Sequence, residues 1–461
     1  MTDLQPDGFP TYPPNKTSLD INEVIPMYTL DNRTTTENLI QFLNDSPSAF
    51  HATEQAALRL AEAGFTALKE NEKWELTPGQ GYYVTRNNSS IIAFAIPKKP
   101  AASLMLTASH TDSPTYKLKD KAEMDAFGKY TRLATEAYGG MIHYAWFDRP
   151  LTVAGRLILS RDGKIESKTV YIDRDLLMIP SVAPHQRNVN GGFTPNVAVD
   201  LVPLFGGKDA KLKPLLAEAA SVAEEEIVGF DLYLTARMPG LIWGANDEFY
   251  SSPRIDNLQC AYGTLMGFLA AGIKDEGSIG VYSVFDNEET GSATKQGAGS
   301  LFLRDTLERL CEALNMDLRQ VLASSMFVSA DNGHARHPNH PEVSDGDHCP
   351  HMNEGVVIKA NAAQKYTTDA LSAALFREIC RRADVPVQVF YNRSDMGGGS
   401  TLGSIANTTV AAYTIDIGMA QLAMHSVYET GGVADTGYMI RAIEQFYNTT
   451  LTAEGDGVLA L

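Results

Sequence analysis

The chain has 461 residues, 44% of them hydrophobic and 20% charged, and a net charge of −18 at pH 7. Such a chain can bury a large core and divide into more than one domain, and its composition is that of an ordinary globular protein. The acidic balance argues against nucleic acid or an anionic membrane surface as a partner, because both call for clustered Lys and Arg, and no apolar run approaches the roughly 18 residues of a membrane span.

The first residues, MTDLQPDGFPTYPPNK, lack the basic start and apolar stretch of a targeting signal. Residues 36–68 read as helical segments broken at Ser-Pro-Ser, followed by short strands in SIIAFAI and SLMLTAS. From about Thr115 to Tyr250 short β-type runs (RLILS, KTVYI, FDLYLTA) alternate with Gly, Pro and polar turns. After Arg254 an α/β alternation returns. Leu258, Ala261, Tyr262, Leu265, Met266 and Leu269 mark a helix face, and SIGVYSVF, SSMFVSA and TTVAAYTIDIG read as buried strands. The expected architecture is one α/β domain made from residues 1–114 and 251–461, interrupted by a β-rich insertion over 115–250. Cys260, Cys311, Cys349 and Cys380 form no CxxC pair, so reduced thiols in a cytoplasmic protein are expected.

Polar residues fall just beyond the strand-like runs: His110 and Asp112 after LMLTAS, Glu288 and Glu289 after SVF, Asp331 after MFVSA, and His425 shortly after YTIDIG. In α/β sheets ligands collect outside the carboxyl ends of strands. Asp256 precedes the amphipathic helix and adds a further carboxylate. Taken singly, each has an ordinary structural reading, such as a helix N-cap for Asp256. Together, two histidines and several carboxylates suit two divalent metal ions about 3.5–4 Å apart, zinc first, with manganese or cobalt also suited to oxygen donors. Adjacent Glu288 and Glu289 then need not play the same part, since one can bind metal while the other handles a proton.

The ordered series SHTDSP, PRIDN, DNEETGSATKQGA, SADNGHARHPNHPE, VIKANAAQKY, NRSDMGGGSTLG and QLAMHS resembles the motifs of the aspartyl aminopeptidase family of cocatalytic zinc exopeptidases. The resemblance implies an α/β/α zinc-peptidase sandwich with an inserted β-rich oligomerisation domain. It implies that His110, Asp256 and Asp331 hold one metal and Asp256, Glu289 and His425 the other. Asp112 would accept a hydrogen bond from the far nitrogen of His110, and Glu288 would be the general base. Lys359 and Tyr366 would form the pocket for an acidic first residue, with His334 near the metals. His185 in IPSVAPHQRNVN would enter the active site of a neighbouring subunit, in a homo-oligomer of the dodecameric type built from dimers. The implied activity is removal of an N-terminal Asp or Glu from peptides. The alternatives are an aminopeptidase for neutral residues and, in a different class, a non-catalytic assembly or cargo scaffold.

Two other features attract attention. The tract from His334 to His351, with His337, His340, His348 and Cys349, reads as a surface loop because Asp, Asn, Pro and Gly crowd it. DMGGGSTLG lacks the lysine of a phosphate-binding loop, and its glycines suit close backbone approach to a substrate.

Overall fold

The computed structural model describes residues 31–187 and 192–461; the N-terminal stretch read above and residues 188–190 of IPSVAPHQRNVN lie outside them. The predicted helical region forms two helices, Asn32–Asn44 and Ala49–Glu62. Asp31 caps the first, its carboxylate accepting from the Thr34 N–H at 3.0 Å. Between them stands Pro47, which has no N–H to continue a helical ladder.

A nine-stranded sheet organises the chain around four central strands: Ile279–Phe285, Leu104–His110, Met326–Ala330 and Tyr413–Gly418. These lie side by side and all run parallel. Every residue of the first three is buried, which is why they read as unbroken apolar runs rather than alternating ones. Antiparallel neighbours, Ser90–Ala95 on one side and Val356–Lys359 on the other, extend the sheet. One apolar cluster forms around Leu258, Leu265, Phe268, Ile440 and Ile443; a second contains Phe302, Leu307, Leu310 and Leu402. Helices therefore cover both faces, giving an α/β/α sandwich.

The helix Ile255–Ala271 is buried almost throughout. Its partner Asp435–Tyr447 approaches so closely that a Cβ on Gly263 would lie 2.6 Å from Met439 Cγ, and one on Gly267 2.7 Å from Ile443 Cβ. Regular helical geometry begins only after Asn257, since Asp256 has φ −79° and ψ 108°. Asp256 thus sits in a kinked lead-in aimed at the sheet edge.

Between Leu104–His110 and this helix, the chain builds a separate antiparallel sheet in the order Lys164–Tyr171, Leu151–Arg161, Ile227–Ala236, Thr115–Ala126, Tyr130–Tyr138 and Leu204–Gly207. It has its own core, including Leu133, Val153, Leu157 and Leu232. A third, five-stranded sheet joins Leu241–Trp243, Phe249–Ser252, Glu429–Gly432, Ala420–Leu422 and Gly333–His334. The last two pieces directly follow central strands of the large sheet, so this small sheet stands beside their carboxyl ends. Among the described residues, no helix is long and apolar enough to cross a membrane.

Candidate metal centre

Because the four central strands are parallel, the residues that follow them emerge on one edge. His110 is the last residue of its strand and is 1% exposed. Its Nδ1 lies 3.0 Å from the Asp112 carbonyl oxygen. A carbonyl can only accept, so Nδ1 carries the proton and Nε2 presents a lone pair. His425 is arranged the same way: its Nδ1 donates to the Gly140 carbonyl. It has φ 66°, an uncommon backbone for a side chain with a Cβ.

Both Nε2 atoms face carboxylates. His110 Nε2 is 3.5 Å from Asp256 Oδ1 and 3.7 Å from Asp331 Oδ1. His425 Nε2 is 3.3 Å from Asp256 Oδ2 and 3.5 Å from Glu289 Oε2. These separations exceed an ordinary N–H···O bond. Two ligand atoms each about 2.1 Å from a tetrahedral zinc would stand about 3.4 Å apart. Asp256 faces one imidazole with each oxygen, the arrangement of a bridge. One ligand atom each of His110, Asp256 and Glu289 lies within 4.8 Å of the others, so the two sets share one small volume.

Two further observations fit a cation here. Asp256 Oδ1 and Glu289 Oε1 are buried without a hydrogen-bond partner, a state that costs free energy unless something else satisfies them. Burial should also push both imidazoles down, yet the surrounding carboxylates win. His110 stands well above its ordinary range, and His425, beside Asp256 and Glu289, is pushed up to about 10. The acidic ring calls for positive charge, and a metal ion would supply it in place of protons. The donor set of His110, Asp256, Asp331, Glu289 and His425 therefore fits a metal centre.

Glu288 and Glu289 form a short 3₁₀ turn after Asn287, which has φ 64°. The turn is held from below: Asp112 Oδ1 accepts from the Glu288 N–H and Asp112 Oδ2 from the Glu289 N–H, both at 3.1 Å. This alters the expected role of Asp112. Its backbone carbonyl, at 3.0 Å, is a nearer acceptor for His110 Nδ1 than its carboxylate, at 3.4 Å. Burial, partly opposed by His110 and reinforced by the neighbouring acids, pushes the Glu288 carboxyl up to about 7. A carboxyl in that range can take and return a proton near neutrality.

Lys359 ends its strand fully buried. Its Nζ donates to the Asn332 carbonyl at 3.2 Å, is 3.4 Å from Asp331 Oδ2, and stands 5.2 Å over the Tyr366 ring. Burial alone would lower its pKa, but Asp331 holds it above the usual lysine range. His334 packs against Phe390 with ring centroids 6.2 Å apart and lines a cleft with Met396 and Gly397, Gly398 and Gly399. Asp395 is tied to Arg393 by two 2.6 Å contacts, away from the cluster. His185 is exposed, and none of the cluster's ion pairs involves it within its own chain. In the histidine-rich loop, His340 bonds Glu342 and His348 bonds Asp345. Among the described residues, the one three-residue group spaced for a metal is His110, Asp256 and Glu289.

Three contributors were not expected from the sequence. Glu429 is 1% exposed; one oxygen accepts from the Asp256 N–H at 3.0 Å and the other from the His425 N–H at 2.8 Å. It thereby clamps the backbones of both residues that face one another across the second set. Tyr138 donates its hydroxyl to Asp112 at 2.8 Å, and Gly140 fixes the His425 tautomer. The four-residue spacing of His425 and Glu429 and the YGG triplet are the only sequence signals these had.

Comparison with known proteins identifies the architecture. The family described as Aminopeptidase I zinc metalloprotease (M18) matches residues 42–447. The "Probable M18 family aminopeptidase 2" of Clostridium acetobutylicum is 42% identical over 426 residues, covering 89% of this chain and 98% of its own. A cryo-EM structure of the Ape4 and Nbr1 complex matches with TM-score 0.87 and 35% identity over 90% of this chain and 86% of that one. The mApe1 dodecamer of S. cerevisiae matches with TM-score 0.81 and 27% identity, covering 90% and 97%. With the fold, the histidine and carboxylate cluster and these matches in agreement, the chain belongs to the M18 family of zinc metallo-aminopeptidases.

Proposed function

We propose that this aminopeptidase uses two metal ions to hydrolyse the first residue from peptides, with a preference for Asp or Glu. What carries the two-metal reading is the set of four imidazole–carboxylate separations of 3.3–3.7 Å, two on each histidine, with Asp256 the carboxylate common to both. His110, Asp256 and Asp331 would hold one ion and Asp256, Glu289 and His425 the other, most readily zinc. When bound, such ions polarise a scissile carbonyl and acidify a water. Glu288 accepts the proton of the attacking water and passes it to the departing amine, so that the C–N bond breaks with a neutral leaving group. Asp112 keeps Glu288 in place through the backbone of the turn. The acidic cluster also offers a counter-charge for the substrate's free α-amino group, which limits cleavage to the first residue.

Lys359 is the cation proposed to favour an acidic side chain, with Tyr366 beside it and His334 proposed as a further substrate contact. An ammonium has three N–H donors, and Asp331 and Asn332 engage two. The same contacts favour a second reading, in which Lys359 only steadies Asp331 and the first residue is neutral. Asp-, Glu-, Leu- and Lys-4-nitroanilides separate the two. With the acidic preference, the wild type favours Asp and Glu, and Lys359→Met lowers their kcat/KM relative to Leu by about 10–100-fold, about 1.4–2.8 kcal/mol. An equal loss on every substrate leaves Lys359 as support for Asp331 and removes the acidic assignment.

The domain over residues 115–250 is proposed to mediate a homo-oligomer, with a dodecamer built from dimers as the expected form and His185 reaching a neighbour's site. Phe127, Tyr130 and Met124 are 93%, 53% and 37% exposed at one hairpin of that region, apolar surface that an interface would cover. Four free cysteines accord with a cytoplasmic location.

A further inference from the structure

The segment from Tyr138 to Ile142 leaves the six-stranded sheet, passes over the metal centre and returns. Both ends are anchored in the sheet. Tyr138 packs edge-on against Tyr233 with centroids 5.5 Å apart. Beyond Ile142, Trp146 packs edge-on against Tyr116 at 5.1 Å and is 3% exposed. Along this stretch the chain makes five contacts with the centre and its supports. The Tyr138 hydroxyl donates to Asp112 and accepts from Asn287 Nδ2, both at 2.8 Å. Gly139 has φ 78°, and a Cβ there would stand 3.0 Å from Glu289 Cβ. The Gly140 carbonyl takes the His425 Nδ1 proton, and the Ile142 N–H donates to the His425 carbonyl at 3.0 Å.

These contacts are unevenly shared. Three of the five fall on His425 or Glu289. His110 and Asp331, by contrast, follow directly from central strands of the nine-stranded sheet, and the strap reaches them only through Asp112. We infer that the strap 138–142 is the positioning element of the His425–Glu289 half of the centre, so that metal affinity in this half depends on how the six-stranded sheet is seated. The inference rests on the two-metal reading. Its physical basis is that a histidine ligand needs its far N–H held by a fixed acceptor, and here that acceptor is carried by a strap tied to the other sheet. Because binding and positioning are linked, metal in this half should in turn hold the strap in place.

The test uses the full chain as wild type, Gly139→Ala and Tyr138→Phe, stripped with a chelator and titrated with Zn²⁺ against a chelating dye. Amide exchange at Ile142 is followed with and without zinc. The expected result is two equivalents in the wild type, of which Gly139→Ala weakens one by about 10–100-fold and leaves the other. Tyr138→Phe removes a donor from Asp112 Oδ2, the oxygen that holds the Glu289 N–H, whereas His110 rests on the Asp112 backbone carbonyl; it therefore weakens the same one by less, and it decides the matter should Gly139→Ala fail to fold. Zinc slows exchange at Ile142 in the wild type. Unchanged affinities in the variants, or equal loss from both halves, overturn the inference. A wild type that binds one equivalent sinks the two-metal reading instead; the strap is then judged by whether that equivalent weakens in the variants.

Discussion

Glu288→Gln lowers kcat by about 10²–10⁴-fold, the usual contribution of a general base, while zinc content and KM stay at wild-type values. The separation of these readouts follows from geometry. None of the four close imidazole–carboxylate contacts uses Glu288. The turn that carries it is fixed by its backbone N–H on Asp112, which an amide side chain does not disturb. Glutamine keeps the volume and polarity but cannot take up a proton. Steady-state hydrolysis of a 4-nitroanilide, with metal measured on the same sample, checks this. Zinc loss in parallel with activity would make Glu288 a ligand and take the base role from it. Full retained activity would favour a different proton acceptor.

The contrast between Glu288 and Glu429 explains how far the sequence could be read. Glu288 and Glu289 follow a strand whose seven residues are all buried, so an apolar run ending abruptly in carboxylates marks a sheet edge. The same logic reaches His110 and Asp331. The paired helices either side of Pro47 and the strands RLILS, KTVYI and FDLYLTA were likewise legible, because each carries its own local period or breaker. Glu429 lies in a four-residue strand of a sheet assembled from five short, distant pieces, none long enough to show a period. Its two shortest bonds are from backbone N–H groups, which leave no mark in side-chain patterns. Tyr138 ends a strand of a different sheet and Gly140 lies just past it, and the register of Tyr130–Tyr138 against Thr115–Ala126 helps bring both to the centre. Lys359 shows the reverse case. It directly follows the apolar run Val356–Ile358, but its contact with Asp331 arises because adjacent strands Val356–Lys359 and Tyr413–Gly418 run antiparallel and bring Lys359 opposite Asp416, beside the strand that ends before Asp331.

Asp256→Asn tests the centre as a whole and should be the most damaging single change to metal binding. Asp256 presents one oxygen to each imidazole, at 3.5 Å from His110 Nε2 and 3.3 Å from His425 Nε2. An asparagine of the same shape keeps one acceptor and turns the other into an NH₂ donor, which repels a cation. It also removes the negative charge that both halves share. Its backbone clamp survives, because Glu429 bonds the Asp256 N–H rather than its side chain. The fold should therefore persist while both halves weaken. Outer-sphere partners of metal ligands are worth about 10–100-fold in affinity, so loss of a shared ligand should exceed the upper end of that range. Melting curves with and without zinc give a readout independent of turnover. In the wild type, zinc at about 1,000 times its dissociation constant adds about 4 kcal/mol to stability. In Asp256→Asn at the same zinc concentration most of that increment disappears, and activity falls with it. If only one equivalent is lost and the other binds as before, Asp256 serves a single ion and does not bridge.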